Sequence, residues 1–234
     1  MAVELILETT NSGNAYHVHF GNAYTVYLAG RDQAYAAAFS GRGWLFPDGK
    51  PLSWVSRIRN SSEGLTQTRG PSVFRAVLDE GRAAGVRHYF LGASEKTLNL
   101  LTKRAEDLFP GVEIVGSYSP PFRPMTSGER AEQDEAILAT RPDLVWIGLG
   151  TPKQDYEAKR ICDELGVTAV AVGAAFDFLA GVKKESPRWV SRIGFEWLHR
   201  LITEPKRLWR RYLFGNAGFL RDVVRHANRE PAQY

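Results

Sequence analysis

Glycine-rich turns after short apolar runs are the parts of this 234-residue chain best suited to chemistry. The clearest is Gly148-Leu-Gly-Thr-Pro-Lys-Gln154, which follows a predicted strand and opens a predicted helix. Glycines let a ligand approach the backbone, and the free amide groups at a helix N-terminus attract phosphate. The third glycine of the dinucleotide fingerprint is absent and Pro152 occupies the turn. Phosphate binding and a plain tight turn therefore both stay open on the residues alone.

Two aspartates occupy turns of a similar kind. Gly173-Ala-Ala-Phe-Asp177 is predicted to be a loop after a strand, with small residues that admit a ligand close to the chain. Asp177 is then either a helix cap or a carboxylate that accepts a hydrogen bond from a base or a sugar hydroxyl. Pro47-Asp-Gly49 has the composition of a turn, yet a carboxylate after a strand could also act as a general base.

The sequence lacks the residues that several other kinds of functional site require. Cys162 is the only cysteine, which excludes an internal disulfide and a four-cysteine zinc site. His17 and His19 share one face of a strand, but no third ligand is evident nearby, so we expect an edge-strand pair and not a metal site. The chain also has no Gly-x-Ser-x-Gly elbow and no Walker sequence, which removes support for a serine hydrolase or a P-loop kinase.

The elements that must position these turns alternate between short apolar runs and helical patterns. Strands are predicted at residues 88–91, 112–115, 144–149 and 168–172, most of them separated by helices. This pattern predicts an α/β protein with a Rossmann-like parallel sheet and helices on both faces. Ligands of such sheets bind at the carboxyl ends of the strands, so the predicted site consists of the loops at Gly92, Gly116, Gly150 and Gly173. Near the N-terminus, Leu5–Glu8 and Tyr16–Phe20 are predicted to be edge strands or a hairpin.

Charge divides the chain into two predicted parts. Residues 1–182 carry a net charge of −3 and form the predicted core, whereas residues 183–234 carry +7 and form a basic, aromatic appendage with an amphipathic helical pattern. Such an appendage favours an anionic partner: nucleic acid, a phosphorylated substrate or a membrane surface. No apolar run is long enough to span a membrane, and the N-terminus does not resemble a signal peptide. We therefore expect a cytoplasmic protein whose membrane contact is peripheral.

Five motifs occur in one order between about residues 20 and 220. They are Pro47-Asp-Gly49, Gly148-x-Gly-x-Pro-Lys-Gln154, Val172-Gly-Ala-Ala-Phe-Asp177, Gly194-x-Glu-Trp-Leu-x-Arg200 and Glu204-Pro-x-Arg-x-x-x-Arg-Tyr212. As a series they resemble the WecG/TagA/CpsF glycosyltransferases, glycosyltransferase family 26. The resemblance implies a Rossmann-like core with a C-terminal membrane-targeting appendage. It also implies inverting, metal-independent transfer of a sugar from a UDP-sugar to a polyprenyl-diphosphate-linked saccharide, without a cofactor.

The resemblance further implies roles for individual residues. Asp48 resembles the family's proposed catalytic base, which takes the proton of the acceptor hydroxyl, and Gln154 resembles its active-site glutamine. The residues that would bind the donor are Asn22, Gly92, Gly148, Gly150, Pro152, Gly173, Phe176 and Asp177. Those that would bind the acceptor and its diphosphate are Arg69, Arg207, Arg210 and Arg211, the last three in the appendage.

The chain departs from the family pattern at four places. Phe20 replaces the threonine of Thr-x-Asn, and the arginine of Arg-x-x-Gly is displaced to Arg69. Gln-Glu becomes Gln154-Asp155, and Arg-Ala-Pro becomes Glu185-Ser-Pro187. Two of these changes remove positive charge near the implied phosphate or acceptor contacts, so the sugar of the donor stays open.

Two other classes of function compete with the transferase hypothesis. A non-catalytic module could bind anionic lipid or nucleic acid through the basic appendage, although it would have no use for Asp48 in a glycine turn. A dehydrogenase is disfavoured because the dinucleotide fingerprint is missing. For the transferase, the expected partners are a UDP-sugar, the lipid-linked acceptor and the cytoplasmic membrane surface, without nucleic acid. Exposed sheet edges and the apolar stripe leave room for a homo-oligomer.

Overall fold

A computed structural model describes residues 1–59, 64–187, 190 and 196–225. The strands are β1 (His17–Gly21), β2 (Gly43–Pro47), β3 (Arg87–Gly92), β4 (Glu113–Tyr118), β5 (Leu144–Gly148) and β6 (Thr168–Ala171). The helices are α1 (Ala2–Thr9), α2 (Ala23–Ala29), α3 (Gln33–Ala37), α4 (Lys50–Arg59), α5 (Gly70–Glu80), α6 (Glu95–Leu108), α7 (Ser127–Thr140), α8 (Lys153–Arg160), α9 (Ala175–Leu179), α10 (Glu196–Thr203) and α11 (Pro205–Arg225). A 3₁₀ turn (Gly81–Ala84) follows α5, and a π turn (Ile161–Leu165) continues α8.

The strands form one six-stranded parallel sheet in the order β2-β1-β6-β5-β3-β4. The chain moves outward from β3 to β4 and then returns to the other side of β3 to form β5, so its direction along the sheet reverses between β3 and β5. Such a reversal opens a crevice at the carboxyl ends of the two strands, where α/β proteins bind ligands. The predicted fold class is confirmed.

Both faces of the sheet are covered. On β5, Leu144 and Trp146 pack into one hydrophobic core, whereas Val145 and Ile147 pack into the other. Helices α1, α5, α6 and α9 supply side chains to the first core, and α7 and α8 supply them to the second. Burial on both faces explains why the central strands read as unbroken apolar runs.

The prediction of a strand at Leu5–Glu8 is wrong. These residues belong to helix α1, in which Ile6 is fully buried and Leu5 and Leu7 pack against the same core. Leucine and glutamate are good helix formers, and an apolar run this short does not distinguish a buried helix from a strand. Gly116, predicted to lie in a loop after a strand, is instead inside β4, where the ring of Tyr89 packs against it.

The described residues divide into two compact units. The sheet unit comprises Met1–Phe20, Ala37–Phe46 and Thr68–Glu185, and the helical unit comprises the described residues of Gly21–Ala36, Pro47–Gln67 and Ser186–Tyr234. The functional division at residue 182 stays a prediction. None of the described helices is long and apolar enough to cross a membrane.

Helices α2 and α11 pack against each other within the helical unit. The rings of Tyr24 and Tyr27, three residues apart on α2, lie where side chains of Gly215 and Gly218 on α11 would be. The Arg31 guanidinium donates two hydrogen bonds, of 2.7 and 3.1 Å, to the Asp222 carboxylate. The same guanidinium carbon lies 4.0 Å from the centre of the Tyr27 ring. The absence of two side chains on α11 therefore lets two aromatic rings approach its backbone.

Candidate active site

Two glycines lie side by side at the carboxyl ends of β3 and β5. Gly92 and Gly148 are register partners, and a Cβ atom on Gly92 would lie 2.8 Å from the carbonyl carbon of Gly148. Gly92 also has φ of 119°, a conformation that favours glycine. Both of these predicted donor-site residues thus lie at the crevice where the chain reverses.

Gln154 organises the neighbouring loop. Its side chain is buried, and its Oε1 accepts a 2.9 Å hydrogen bond from the backbone N–H of Gly150. The same oxygen lies 3.0 Å from where a Cβ atom on Gly173 would be. Gly173 donates its backbone N–H to the carbonyl of Ile147, which ties this turn to the end of β5. Three predicted site residues therefore form one cluster, with Pro152 directly before α8.

Phe176 lies behind this cluster, in the core. Its side chain is only 1% exposed, and its ring centre lies 5.6 Å from that of Phe74 and 5.5 Å from that of Phe90. The ring packs directly on Gly148, where a Cβ atom would come within 2.5 Å of it. What the structure assigns to Phe176 is support for the strand end; its contact with a donor stays a prediction.

The interpretation of residues 173–177 as a loop with a capping aspartate is wrong. Residues 175–179 form helix α9, which begins after Ala174, so Asp177 lies inside the helix. Its carboxylate forms a 2.7 Å ion pair with Lys183, and its backbone carbonyl accepts hydrogen bonds from the N–H groups of Val182 and Lys183. Asp177 thus holds the segment that follows α9, and its predicted role in donor binding is untested.

Arg69 is half-buried and paired. Its Nη2 lies 2.8 Å from Glu185 Oε1, and the Nη1 of Arg75 lies 2.9 Å from Glu185 Oε2. The displaced arginine and the reversed charge at position 185, two separate departures in the sequence, are therefore in contact. Glu185 thus joins two arginines that lie on either side of the start of α5.

Asp48 and Asn22 are neighbours in the helical unit. Asp48 follows β2, and its backbone N–H donates a 2.6 Å hydrogen bond to the carbonyl of Gly21. A Cβ atom on Gly49, which has φ of 100°, would lie 4.0 Å from the Cβ of Asn22. The Asn22 side-chain oxygen accepts hydrogen bonds from the backbone N–H groups of Tyr24 and Thr25, which makes Asn22 the N-cap of α2. Its side-chain amide N–H groups are not engaged in that cap.

Helix α11 carries the three predicted arginines, Arg207, Arg210 and Arg211. The structure describes their backbone and not their side chains, and Gly194 of the fourth motif lies outside the described residues. Large apolar side chains on the same helix are exposed: Trp209 by 41%, Leu220 by 56% and Val224 by 75%. Exposed apolar and basic residues thus occur together on α11.

The prediction that His17 and His19 form an edge-strand pair is wrong. Strand β1 lies between β2 and β6, and both rings are buried. Nδ1 of His17 lies 2.8 Å from Nε2 of His19, whose Nδ1 lies 3.1 Å from Oδ1 of Asp155. Sequence reasoning missed Asp155 as their partner, although a buried strand with alternating histidines requires one. Among the described residues, no group of three or more His, Cys, Asp or Glu side chains is arranged to hold a metal ion.

Comparison with known proteins agrees with this architecture. The family described as glycosyl transferase WecG/TagA/CpsF matches residues 1–233. An N-acetylglucosaminyldiphosphoundecaprenol N-acetyl-beta-D-mannosaminyltransferase of Bacillus spizizenii is 29% identical over 212 residues, which cover 88% of this chain and 79% of that protein. A protein of the same name from Bacillus subtilis is 26% identical over 195 residues, which cover 82% of this chain and 73% of that protein.

The resemblance carried by the five motifs is therefore confirmed by a match that extends over nearly every residue. Because the family match covers the sheet, its glycine-bearing edge and the C-terminal helices together, this chain belongs to the WecG/TagA/CpsF family and is a glycosyltransferase.

Proposed function

We propose that this glycosyltransferase moves a sugar from a UDP-sugar to a polyprenyl-diphosphate-linked saccharide, with inversion and without a metal ion, in cell-surface polysaccharide biosynthesis. The family match over residues 1–233 carries the proposal. Two relatives whose names specify an N-acetylglucosaminyl-diphosphoundecaprenol acceptor support the acceptor class. The donor sugar is left open because the charge changes at Arg69 and Glu185 alter a region that the resemblance assigns to acceptor or phosphate contacts.

In this proposal Asp48 is the general base. Its carboxylate takes the proton of the acceptor hydroxyl as the oxygen attacks the anomeric carbon of the donor sugar. The bond from that carbon to the UDP oxygen breaks in the same displacement, and UDP leaves with the bonding electrons, so the configuration inverts. Gly49, at φ of 100°, makes the turn that follows Asp48 and brings it beside the start of α2.

The leaving diphosphate needs positive charge. The N-terminus of α8 begins directly after the open turn at Gly150, where a Cβ atom would meet nothing within 4 Å. Backbone N–H groups at such a position favour a phosphate. Arg69, Arg207, Arg210 and Arg211 are the side chains proposed to complete the charge, since guanidinium groups bind phosphate oxygens in pairs.

The proposed location is the inner face of the cytoplasmic membrane, where the lipid-linked acceptor would be met. The exposed apolar residues of α11 support this, because an amphipathic helix with basic residues binds an anionic membrane surface. The membrane contact would then be peripheral.

Release of UDP from a panel of UDP-sugars tests the proposal, with a short-chain polyprenyl-diphosphate N-acetylglucosamine as acceptor and EDTA present. Asp48→Asn should lower acceptor-dependent release by about 100-fold or more, because general-base catalysis contributes on that scale. Its dissociation constant for UDP should stay within about twofold, since the substitution removes a base and leaves the turn intact. Asp107→Asn, at an exposed position of α6, is the matched control and should retain full activity.

Two results would contradict the proposal. One is acceptor-dependent release that survives Asp48→Asn. The other is an absence of both release and UDP binding with every donor. A steeply salt-dependent affinity for oligonucleotides or anionic vesicles, indifferent to UDP, would then favour the non-catalytic binding module.

A further inference from the structure

A continuous line of hydrogen-bonding groups runs through the sheet unit beside Gln154. It begins at the carbonyl oxygen of Ser40, which lies 2.9 Å from Nε2 of His17. It continues from Nδ1 of His17 to Nε2 of His19 over 2.8 Å, and from Nδ1 of His19 to Oδ1 of Asp155 over 3.1 Å. His17, His19 and Asp155 are at most 3% exposed.

The line has three links and an acceptor at each end. A carbonyl oxygen only accepts, and so does an ionised carboxylate, so each of the three links needs its own proton from the imidazole rings. Two neutral imidazoles carry only two ring protons between them. With two, one link would bring two lone pairs together inside the protein, where an unmade hydrogen bond is costly. The geometry therefore requires a third proton, and an imidazole takes it in preference to a carboxylate, because the ordinary pKa of imidazole is about 6.5 and that of an aspartate about 3.9.

The third proton belongs on His19. The pKa of His17 is lowered, by burial and then by the neighbouring His19, which disfavours a charge on that ring. Lys159 also lowers the pKa of His17, while the Ser40 carbonyl and Asp163 raise it. His19, in contrast, faces the Asp155 carboxylate directly and would form with it a buried pair of zero net charge.

We infer that His17 and His19 hold three ring protons, so that a buried imidazolium–carboxylate pair ties β1 to the first turn of α8 and positions Gln154. Asp155 directly follows Gln154 in that turn, and the ring of Phe39 lies edge-on to His19 at 4.8 Å. Fixing Asp155 fixes the orientation of the turn and thereby the hydrogen bond from Gly150 to Gln154. His19 and Asp155 are positioning residues, and their effect on transfer rests on the proposed function.

The proton count is measured by ¹⁵N NMR of the ring nitrogens at neutral pH. Three protonated nitrogens are expected across His17 and His19 in the native protein. In Asp155→Asn the amide can donate to Nδ1 of His19, so all three links persist with only two ring protons. His88, whose Nδ1 accepts a hydrogen bond from Trp146, serves as the internal reference for a neutral ring. Two ring protons in the native pair would overturn the inference.

Hydrogen exchange of the Gly150 amide tests the positioning. His19→Leu breaks two links and should raise the exchange rate at Gly150 by about tenfold or more, whereas Asp155→Asn and the control His88→Gln should leave it within about threefold. An unchanged rate in His19→Leu would overturn the positioning role. If the protein transfers sugar as proposed, kcat/KM should fall most in His19→Leu and change little in Asp155→Asn and His88→Gln. The NMR and exchange readouts need no sugar substrate, so they stand even if the proposed function fails.

Discussion

The side chain of Glu185 shows how one departure from a family pattern is matched by another. Its two carboxylate oxygens contact Arg69 and Arg75. The glutamate that replaces the family's arginine at position 185 therefore forms an ion pair with the arginine displaced to position 69. Asp155 is a second case, since this shorter carboxylate in place of glutamate contacts His19. Both departures from the family pattern therefore form contacts inside the sheet unit, and Gln154 and the glycine-lined strand ends are in place beside them.

Gly173 gives a sharp prediction about the site. Gly173→Ala should weaken UDP binding by about tenfold, because the residue has φ of 56° and the new methyl group would lie 3.0 Å from Gln154 Oε1. Gly166→Ala is the matched control: its φ is 67°, but a Cβ atom there would meet nothing within 4 Å. Both variants should lose about 1 kcal/mol of unfolding free energy from backbone strain, and only the first should lose affinity in calorimetry. Equal affinities would contradict the role of this contact.

The packing of α11 on α2 depends on residues without side chains. Alanine in place of glycine inside a helix normally adds about 1 kcal/mol of stability. Gly218→Ala should instead lower the free energy of unfolding, by about 1–3 kcal/mol, because its methyl group would overlap the Tyr27 ring. Urea unfolding measures the change.

The same substitution in a second background identifies its cause. In Tyr27→Ala the ring is gone, so Gly218→Ala should become stabilising there. A loss of stability that is equal in both backgrounds would show that the ring is not responsible.

Strands β3 and β5 are linked by a side-chain hydrogen bond whose contribution depends on pH. Nδ1 of His88 accepts a 3.0 Å hydrogen bond from Nε1 of Trp146, and burial lowers the pKa of His88 from 6.5 to about 4. The unfolded chain therefore binds this proton at a higher pH than the folded protein. Stability is lost as the pH falls from 6.5 towards 4, by up to about 3 kcal/mol.

His88→Asn isolates that contribution, because the asparagine oxygen takes the place of Nδ1 and can still accept from Trp146 but does not titrate. Urea unfolding should be measured between pH 7 and pH 4. Over that range the variant should lose less unfolding free energy than the native protein, by about 3 kcal/mol. His17, whose pKa is also lowered, titrates in both proteins and so cancels in the comparison. Identical declines in the two proteins would exclude His88 as the source.

The whole chain has a net charge of +4, but its excess positive charge lies in the basic appendage, residues 183–234. Leu220 and Val224, four residues apart on α11, share one face and are 56% and 75% exposed, beside the exposed Arg221 and Arg225. The double variant Leu220→Asp/Val224→Asp should lower binding to phosphatidylglycerol vesicles by about tenfold or more, as apolar burial and charge attraction are both lost.

The control is Phe122→Asp, which changes an apolar side chain that is 89% exposed in the sheet unit. Its vesicle binding in a flotation assay should match that of the native protein. An equal loss in both variants would point to charge alone and count against α11 as the membrane-binding element. High salt should weaken the binding of all three proteins.

Local patterns are sufficient for strands β5 and β6 and for the glycines at the ends of β3 and β5, but not for the central place of β1. The apolar runs at 144–149 and 168–172 predict buried parallel strands, and glycines at strand ends such as Gly92 and Gly148 predict a ligand-accessible crevice. They are insufficient for α1, because its apolar run at residues 5–7 is short enough to fit a helix or a strand, and for α2, whose tyrosines and β-branched residues do not favour a helix by themselves. There the N-cap at Asn22 and the packing of α11 outweigh propensity.

Composition, order of motifs and strand periodicity in the sequence identify the family and the fold, because these depend on burial and backbone conformation within short segments. The partners of His19, Glu185 and Gly218 depend on tertiary structure. His19 meets a carboxylate 136 residues later in the chain, and Tyr27 meets a glycine on a distant helix. Such pairs form only after the crossovers bring separate elements together, and no spacing along the chain encodes which side chains will then be within hydrogen-bonding distance.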